Sequence, residues 1–310
     1  MHSSRRQFLS LASGVAVASA FSPVGLRGQD KSGTRLILLG TRGGPRVGIA
    51  RHNPATLILA NGVPYVVDCG AGVSRQLIAA GVPLNRLRYI FLTHLHSDHM
   101  IEYGPLFYNA WVTGGATVDA YGPRPLTQIT RAFWDYMKFD IETRMADEGR
   151  PDPRPLLVPH EIAPGVVIHN ADVKVTCATV VHPPIEQAYA FRFDTRDRSI
   201  VISGDTNYST NLIALAKGAD VLVHEILYPP SVDKLVARVP NAASLRKHII
   251  DSHTAPEDVG RVAAAAQVKT LVLSHLVPAD DLDVPDESWT AGVRKHFTGR
   301  IIVGRDLMEI

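Results

Sequence analysis

Between Tyr89 and His99 the chain changes character in one step: the apolar run Tyr89-Ile90-Phe91-Leu92-Thr93 gives way to His94-Leu95-His96-Ser97-Asp98-His99. A short continuous apolar run suits a strand buried on both faces of a layered fold, and its polar cluster falls where the strand stops. Imidazole nitrogen and carboxylate oxygen form the donor set that suits zinc, with other transition metals open. In an extended or turning segment His94 and His96 point one way. Asp98 and His99, beyond the turn, point to a second position nearby, so the spacing predicts two metal ions. A solvated polar turn is the plainer reading, and the density of donors disfavours it.

One such motif holds too few ligands for two ions. Three later residues of ligand type end apolar runs: His182 after 173–181, Asp205 after 199–202, and His275 after 271–274. Alone, each reads as a packing histidine or an ordinary Gly-Asp-Thr turn. Together they repeat one pattern, strand then donor, and layered α/β folds gather functional groups at strand ends. One carboxylate can bridge two cations and hold them roughly 3.5–4 Å apart, a role open to Asp205.

The remaining pattern predicts a single domain over 34–310. Strands are expected at 35–40, 55–60, 63–68, 89–93, 166–169, 173–181, 188–193, 199–202, 221–223 and 271–274. Asn61-Gly62 is a two-residue hairpin signal. Helices are expected at 73–80 (stopped by Gly81), 101–112, 126–145, 211–216 and 256–266, the last opened by Pro256. Helix patterns after the histidine cluster suggest a helical insertion at about 101–147. Two sets of strands with helices outside them make an α+β layered fold.

The His-x-His-x-Asp-His run, followed by His182, Asp205 and His275, resembles the ligand order of the metallo-β-lactamase-fold hydrolases. Further segments are similar to the ribonuclease Z and arylsulfatase-like branch. They are Leu39-Gly40-Thr41-Arg42-Gly43-Gly44-Pro45, Arg51-His52-Asn53-Pro54-Ala55-Thr56, Val66-Val67-Asp68-Cys69-Gly70, His253-Thr254-Ala255-Pro256-Glu257 and the closing Ile302-Val303-Gly304-Arg305-Asp306-Leu307-Met308. The resemblance implies a four-layer αββα sandwich and two Zn2+ ions, with iron or manganese as substitutes. It places His94, His96 and His182 on one ion, Asp98, His99 and His275 on the other, and Asp205 between them. It also puts His253 in a loop beside the metals, where it would protonate the departing oxygen, while Asp98 orients the attacking water. Asp68, His224 and Glu225 are candidates for steadying a ligand imidazole or His253 from behind. A buried salt-bridge pair is the alternative for His224-Glu225. Class B β-lactamases usually carry a cysteine at the second metal, and neither Cys69 nor Cys177 is so placed, which argues against antibiotic hydrolysis. Both cysteines read as free and structural, although an oxidising compartment permits a disulfide.

Ser4-Arg5-Arg6-Gln7-Phe8-Leu9, a weakly apolar stretch to Phe21 and Ala18-Ser19-Ala20 resemble a twin-arginine signal over 1–20, followed by a linker at 21–33. The stretch is too short to span a bilayer, so the expected destination is the periplasm without stable membrane insertion. The chain has 32 basic and 30 acidic residues, and removal of Arg5 and Arg6 with that segment leaves 30 of each. Without a basic excess or tract, nucleic acid is an unlikely partner on this count, and a small-molecule ester is the expected substrate. Tyr103, Phe107, Tyr108, Trp111, Phe133, Trp134, Tyr136 and Phe139 could supply one or two residues of an apolar lid, or a homodimer face. Arg42 and Arg51 could neutralise an anionic ester. His52, His160, His169, His248 and His296 read as structural. The expected activity is a periplasmic dinuclear zinc hydrolase of phosphodiesters or aryl sulfate esters. A lactone or other cyclic-ester hydrolase, an iron-dependent redox enzyme and a non-catalytic exported metal-binding module are the other readings.

Overall fold

Short apolar strands separated by turn residues build two sheets in the computed structural model, which describes residues 33–237, 239–240, 242–279 and 284–310. The signal segment 1–20 and the linker, apart from Gly33, lie outside them. The first sheet runs in chain order: β1 (Arg35–Gly40), β2 (Ala55–Ala60), β3 (Val63–Val67), β4 (Tyr89–Phe91), β5 (Val118–Gly122) and β6 (Leu157–Glu161). The second holds β7 (Gly165–His169), β8 (Val173–Thr179), β9 (Tyr189–Thr195), β10 (Ser199–Ile202), β11 (Val221–Leu227), β12 (Thr270–Val277) and β13 (Arg300–Val303), ordered β13-β12-β11-β10-β9-β8-β7. Asn61 and Gly62 join β2 to β3 with φ of 50° and 75°, the positive pair that a type I′ hairpin turn requires.

Three apolar layers hold the sheets together. Between them pack Leu36, Leu38, Tyr65, Phe91, Phe191 and Phe193, and each such side chain contributes roughly 1.5–3 kcal/mol by leaving water. Helices α1 (Val73–Ala79), α3 (Tyr103–Val112) and α4 (Leu126–Glu148) cover the outer face of the first sheet; α2 (Ser97–Met100) is a single turn inside the histidine cluster. Helices α5 (Thr210–Leu215), α8 (Pro256–Ala266) and α9 (Asp286–Arg294) cover the second. The layers are helix, sheet, sheet, helix, as the sequence predicts.

Several elements depart from that reading. β5 is a paired interior strand of the first sheet, so 101–147 is not helical throughout. Its sequence, Val-Asp-Ala-Tyr-Gly, is short and half polar because only alternate residues are buried. β6 carries Pro159, tolerated because β6 is an edge strand. β11 and β12 continue past their expected ends to Leu227 and Val277. Helices α6 (Pro229–Val236) and α7 (Ala242–Ser252) pack over Leu227 and Val277 through Val232, Val236 and Ile249. Cys69 and Cys177 are buried free thiols.

Asp220 ties three strand starts of the second sheet. It accepts from Ser199 N (2.7 Å), Ser199 Oγ (2.9 Å) and Lys269 Nζ (2.7 Å). The Lys269 hydrogen bond, then the Ser199 amide, hold its carboxyl down at about 2. A depressed carboxyl stabilises the fold above its unfolded pKa and loses that contribution as pH falls. With a third of the side chain exposed, screening reduces the effect. Asp220→Ala is expected to cost about 1–2 kcal/mol at pH 7, with the gap to wild type narrowing between pH 4 and pH 2 in denaturant melts. A gap independent of pH would remove the charge from the explanation.

Candidate metal centre

The ligand-type residues converge because their strands end together. β4 delivers His94 and His96 on extended backbone, and α2 then turns Asp98 and His99 back toward the same spot. The parallel strands β10, β11 and β12 bring in Asp205, Glu225 and His275. His275 is the extra residue of a bulge in β12, where Ser274 opposes Glu225 and Leu276 opposes Ile226. Its φ of 44° lies in the left-handed region, rare for such a side chain, and bulges re-aim side chains in this way. Asp68, at φ 64°, closes β3 in similar strain.

Two groups form. His96 Nδ1 lies 3.0 Å from His94 Nε2 and 3.1 Å from His182 Nε2, so three ring nitrogens meet at one point. Asp98 Oδ2 lies 3.6 Å from His99 Nε2 and 3.4 Å from His275 Nε2. Asp205 stands between them. Its Oδ2 is 3.8 Å from His94 Nε2, while Oδ1 is 3.3 Å from His99 Nε2 and 3.2 Å from His275 Nε2. His99 Nε2, His275 Nε2 and Asp205 Oδ1 are buried without a hydrogen-bond partner, a costly arrangement unless something else satisfies them. A divalent cation in each group fits this donor set, and the ligand atoms of each group lie close enough to share one.

Electrostatics divides the groups. Burial, followed by the neighbouring imidazole of His99, pushes His94 well below the usual histidine range, and burial brings His182 down to about 4. These rings are therefore neutral, as ligands must be. Burial would depress His99 too, but Asp205, Asp68 and Asp98 around it raise it well above the usual value. That side carries surplus negative charge and calls for a cation. Burial would raise Asp98, yet His99 and His275 hold it at about 2.

Behind the ligands, His99 Nδ1 donates to Asp68 Oδ2 (2.8 Å), and Asp68 also accepts from Thr93 N (2.8 Å). His182 Nδ1 donates to the Ser252 carbonyl (2.9 Å). Each bond fixes a tautomer that leaves Nε2 with its lone pair inward. Gly44 N donates to Asp98 Oδ2 (3.1 Å), and Asn53 Nδ2 holds the Gly44 carbonyl (2.8 Å). Glu225 Oε1 accepts from Thr206 N and Thr254 N and lies 3.3 Å from His253 Nδ1. Burial would lower His253, but the charge of Glu225 outweighs it and raises the ring. His253 packs between the groups, 5.5 Å from His275 and 5.4 Å from His182 by ring centres.

His224 is not part of this assembly. It lies within β11 rather than at its end, and strand side chains alternate. Glu225 therefore faces the centre, while His224 shares the helix-covered face of Leu222 and Ile226 and bonds to the Glu225 carbonyl through Nδ1.

The centre opens to a cleft of about 320 Å³ lined by Arg42, Arg46, His248 and an apolar wall of Leu235, Leu245, Ile249, Val277 and Pro278. The expected aromatic lid is absent from this lining. Tyr103, Phe107 and Trp111 are core residues, and Tyr108 and Trp134 pack against them, because α3 and α4 cover the far face of the first sheet. Helices α6 and α7 supply the wall instead. They also bring in His248, read from sequence as structural, with its ring 6.0 Å from that of His96. No spacing rule ties it to the other ligands, since a tertiary packing of α7 places it. Arg42 lines the cleft, whereas Arg51 donates to Thr41 Oγ1 and the Gly304 carbonyl.

Residues 65–276 match the model of a Beta-lactamase superfamily domain. Ribonuclease Z of Mycobacterium bovis (strain BCG / Pasteur 1173P2) is 34% identical over 279 residues, covering 89% of this chain and 97% of that protein. Ribonuclease Z of Mycobacterium marinum (strain ATCC BAA-535 / M) is 33% identical with the same coverage. Among solved structures, the metallo-β-lactamase fold protein YhfI from Bacillus subtilis aligns with a TM-score of 0.66 at 20% identity, over 89% of this chain and 98% of that one. The short form of human tRNase Z gives 0.65 at 19% identity, with the same coverage. These two structures speak to the fold alone. The relatives named ribonuclease Z overturn the expectation that nucleic acid is an unlikely partner. Net charge sums over the whole surface, whereas a phosphate responds to the few charges beside it; Arg42 and Arg46 stand in the cleft.

Proposed function

This chain belongs to the β-lactamase superfamily, among relatives named ribonuclease Z, and from that membership we propose that it is a dinuclear metal-dependent phosphodiester hydrolase acting on RNA. The observation that carries the reading is Asp205, whose two oxygens face two separate ligand groups on the floor of a cleft that also holds arginine. His94, His96 and His182 would hold one cation, Asp98, His99 and His275 the other, and Asp205 both. The chemistry such ions supply when bound is Lewis acidity toward a phosphoryl oxygen and a lowered pKa for water.

The protein's own groups do the rest. Asp98, tied through Oδ2 to Gly44 N, orients the attacking water. Arg42 and Arg46 bind the phosphate oxygens flanking the scissile bond. His253 donates a proton from Nε2 to the departing oxygen, and the Glu225 carboxylate, 3.3 Å from the opposite nitrogen Nδ1, favours the charged ring. Turnover of metal-replete protein on end-labelled RNA, tRNA transcripts included, tests the reading, with nitrophenyl phosphodiesters, nitrophenyl sulfate and lactones in parallel. Cleavage of RNA and phosphodiesters is expected; turnover confined to sulfate esters or lactones would replace the proposal with one of the other hydrolase readings. Arg46→Ala is expected to weaken RNA binding and to reduce its salt slope by about 1. An unchanged slope would take Arg46 out of the phosphate path.

Export is a further part of the proposal, supported by Ser4-Arg5-Arg6-Gln7-Phe8-Leu9 and the small-residue pattern after it. With Arg5 and Arg6 both changed to Lys, the protein is expected to stay in the cytoplasm on fractionation. Undiminished export would rule out the twin-arginine route.

A further inference from the structure

Against the back of the metal centre lies a small cavity of about 30 Å³, which shares Asp205 and His275 with the cleft and is also lined by Ser203, Glu225 and Ser274. Four buried atoms of its lining residues have no hydrogen-bond partner; Asp205 Oδ1 and His275 Nε2 belong to the metal groups, which leaves Glu225 Oε2 and His275 Nδ1. The opposite atom of each residue is engaged at the site. Glu225 Oε1 takes Thr206 N at 3.2 Å and Thr254 N at 3.0 Å and faces His253. His275 Nε2 lies among Asp98 and Asp205. With Nε2 offering its lone pair there, Nδ1 carries the proton. The cavity therefore joins a buried donor to a buried carboxylate oxygen, with serine hydroxyls nearby. A water needs about 10–15 Å³ for its centre and two to four polar partners, and this site meets both conditions.

We propose that one ordered water links His275 Nδ1–H to Glu225 Oε2. Glu225 is then a positioning residue for both sides of the reaction: its Oε1 faces His253 Nδ1 at 3.3 Å as an ion pair, and its Oε2 holds His275 through the water. The arrangement explains how a ligand on left-handed bulge backbone, with both ring nitrogens otherwise unpartnered, keeps its ring aimed. Histidine ligands are commonly oriented by such a bond from their outer nitrogen. The inference rests on the dinuclear reading of the site, not on its substrate.

A crystal structure of the full, zinc-loaded protein is the direct test. One water within hydrogen-bond distance of both His275 Nδ1 and Glu225 Oε2 is expected. A dry cavity, a direct contact between the two residues, or a water bonded to neither overturns the proposal. Chelator-competition titration of zinc provides a second readout. Ser274→Val, which fills the cavity, is expected to weaken the second zinc about 10–100-fold, the range for loss of such a support, and to spare the first. Ser274→Ala, which leaves the space open, is expected to bind zinc like wild type. Equal affinities for valine and alanine variants count against the water, as does equal loss in both. Two tightly held zinc ions without phosphodiester turnover would fail the functional proposal and leave this one standing.

Discussion

Asp205→Ala is expected to remove at least one of two zinc ions and to lower kcat/KM by about 10³-fold or more, because metal-ion catalysis is worth several kcal/mol. The reason is charge. Two divalent ions held about 4 Å apart, the span one carboxylate can bridge, would repel by roughly 17 kcal/mol even at an effective dielectric of about 20. Asp205 is the carboxylate with an oxygen toward each ligand group, at 3.8 Å from His94 Nε2 on one side and 3.2 Å from His275 Nε2 on the other. Without it the His94, His96 and His182 nitrogens still meet and retain one zinc, while Asp98, His99 and His275 face an uncompensated cation. Metal analysis and turnover together check this. Two zinc ions and full activity in the variant would refute the bridging role.

His253→Ala is expected to leave zinc content unchanged and to slow poor leaving groups about 10²–10⁴-fold, the usual worth of a positioned acid. Nitrophenolate departs without a proton, so its esters should slow by less than about tenfold. The ring is buried, packs beside His275 and His182, and has Glu225 at its Nδ1; these contacts aim Nε2 rather than bind metal. Equal slowing of good and poor leaving groups would assign His253 to structure alone. A loss of one zinc would make it a ligand instead, since His253, Asp205 and His275 also lie within reach of one ion.

The donors were legible because each follows an apolar run within a few residues, although β12 continues past His275 to Val277, and residue type after such a run is local information. His224 departs from its expected place for a related reason: β11 runs four residues beyond its most apolar part, which turns a strand end into alternating faces and separates His224 from Glu225. β5 is not legible in the sequence because a strand buried on alternate residues, in a stretch of five, has little apolar signal. Asp68 was legible as the support of a ligand imidazole, and the fold decided that the imidazole is His99.

The order of strands and metal-type donors, and with it the layered fold, was determined by the chain alone. Hydrophobic runs and donor chemistry are properties of a few adjacent residues. The cleft wall was decided only in three dimensions. Tyr103, Phe107 and Trp111 are as apolar as any lid would need to be, yet α3 turns them into the core of the first sheet. Leu235, Leu245 and His248 line the cleft because α6 and α7 pack across Leu227 and Val277. Which face of a helix meets which cavity depends on the partner that buries it, and that partner lies far away in sequence.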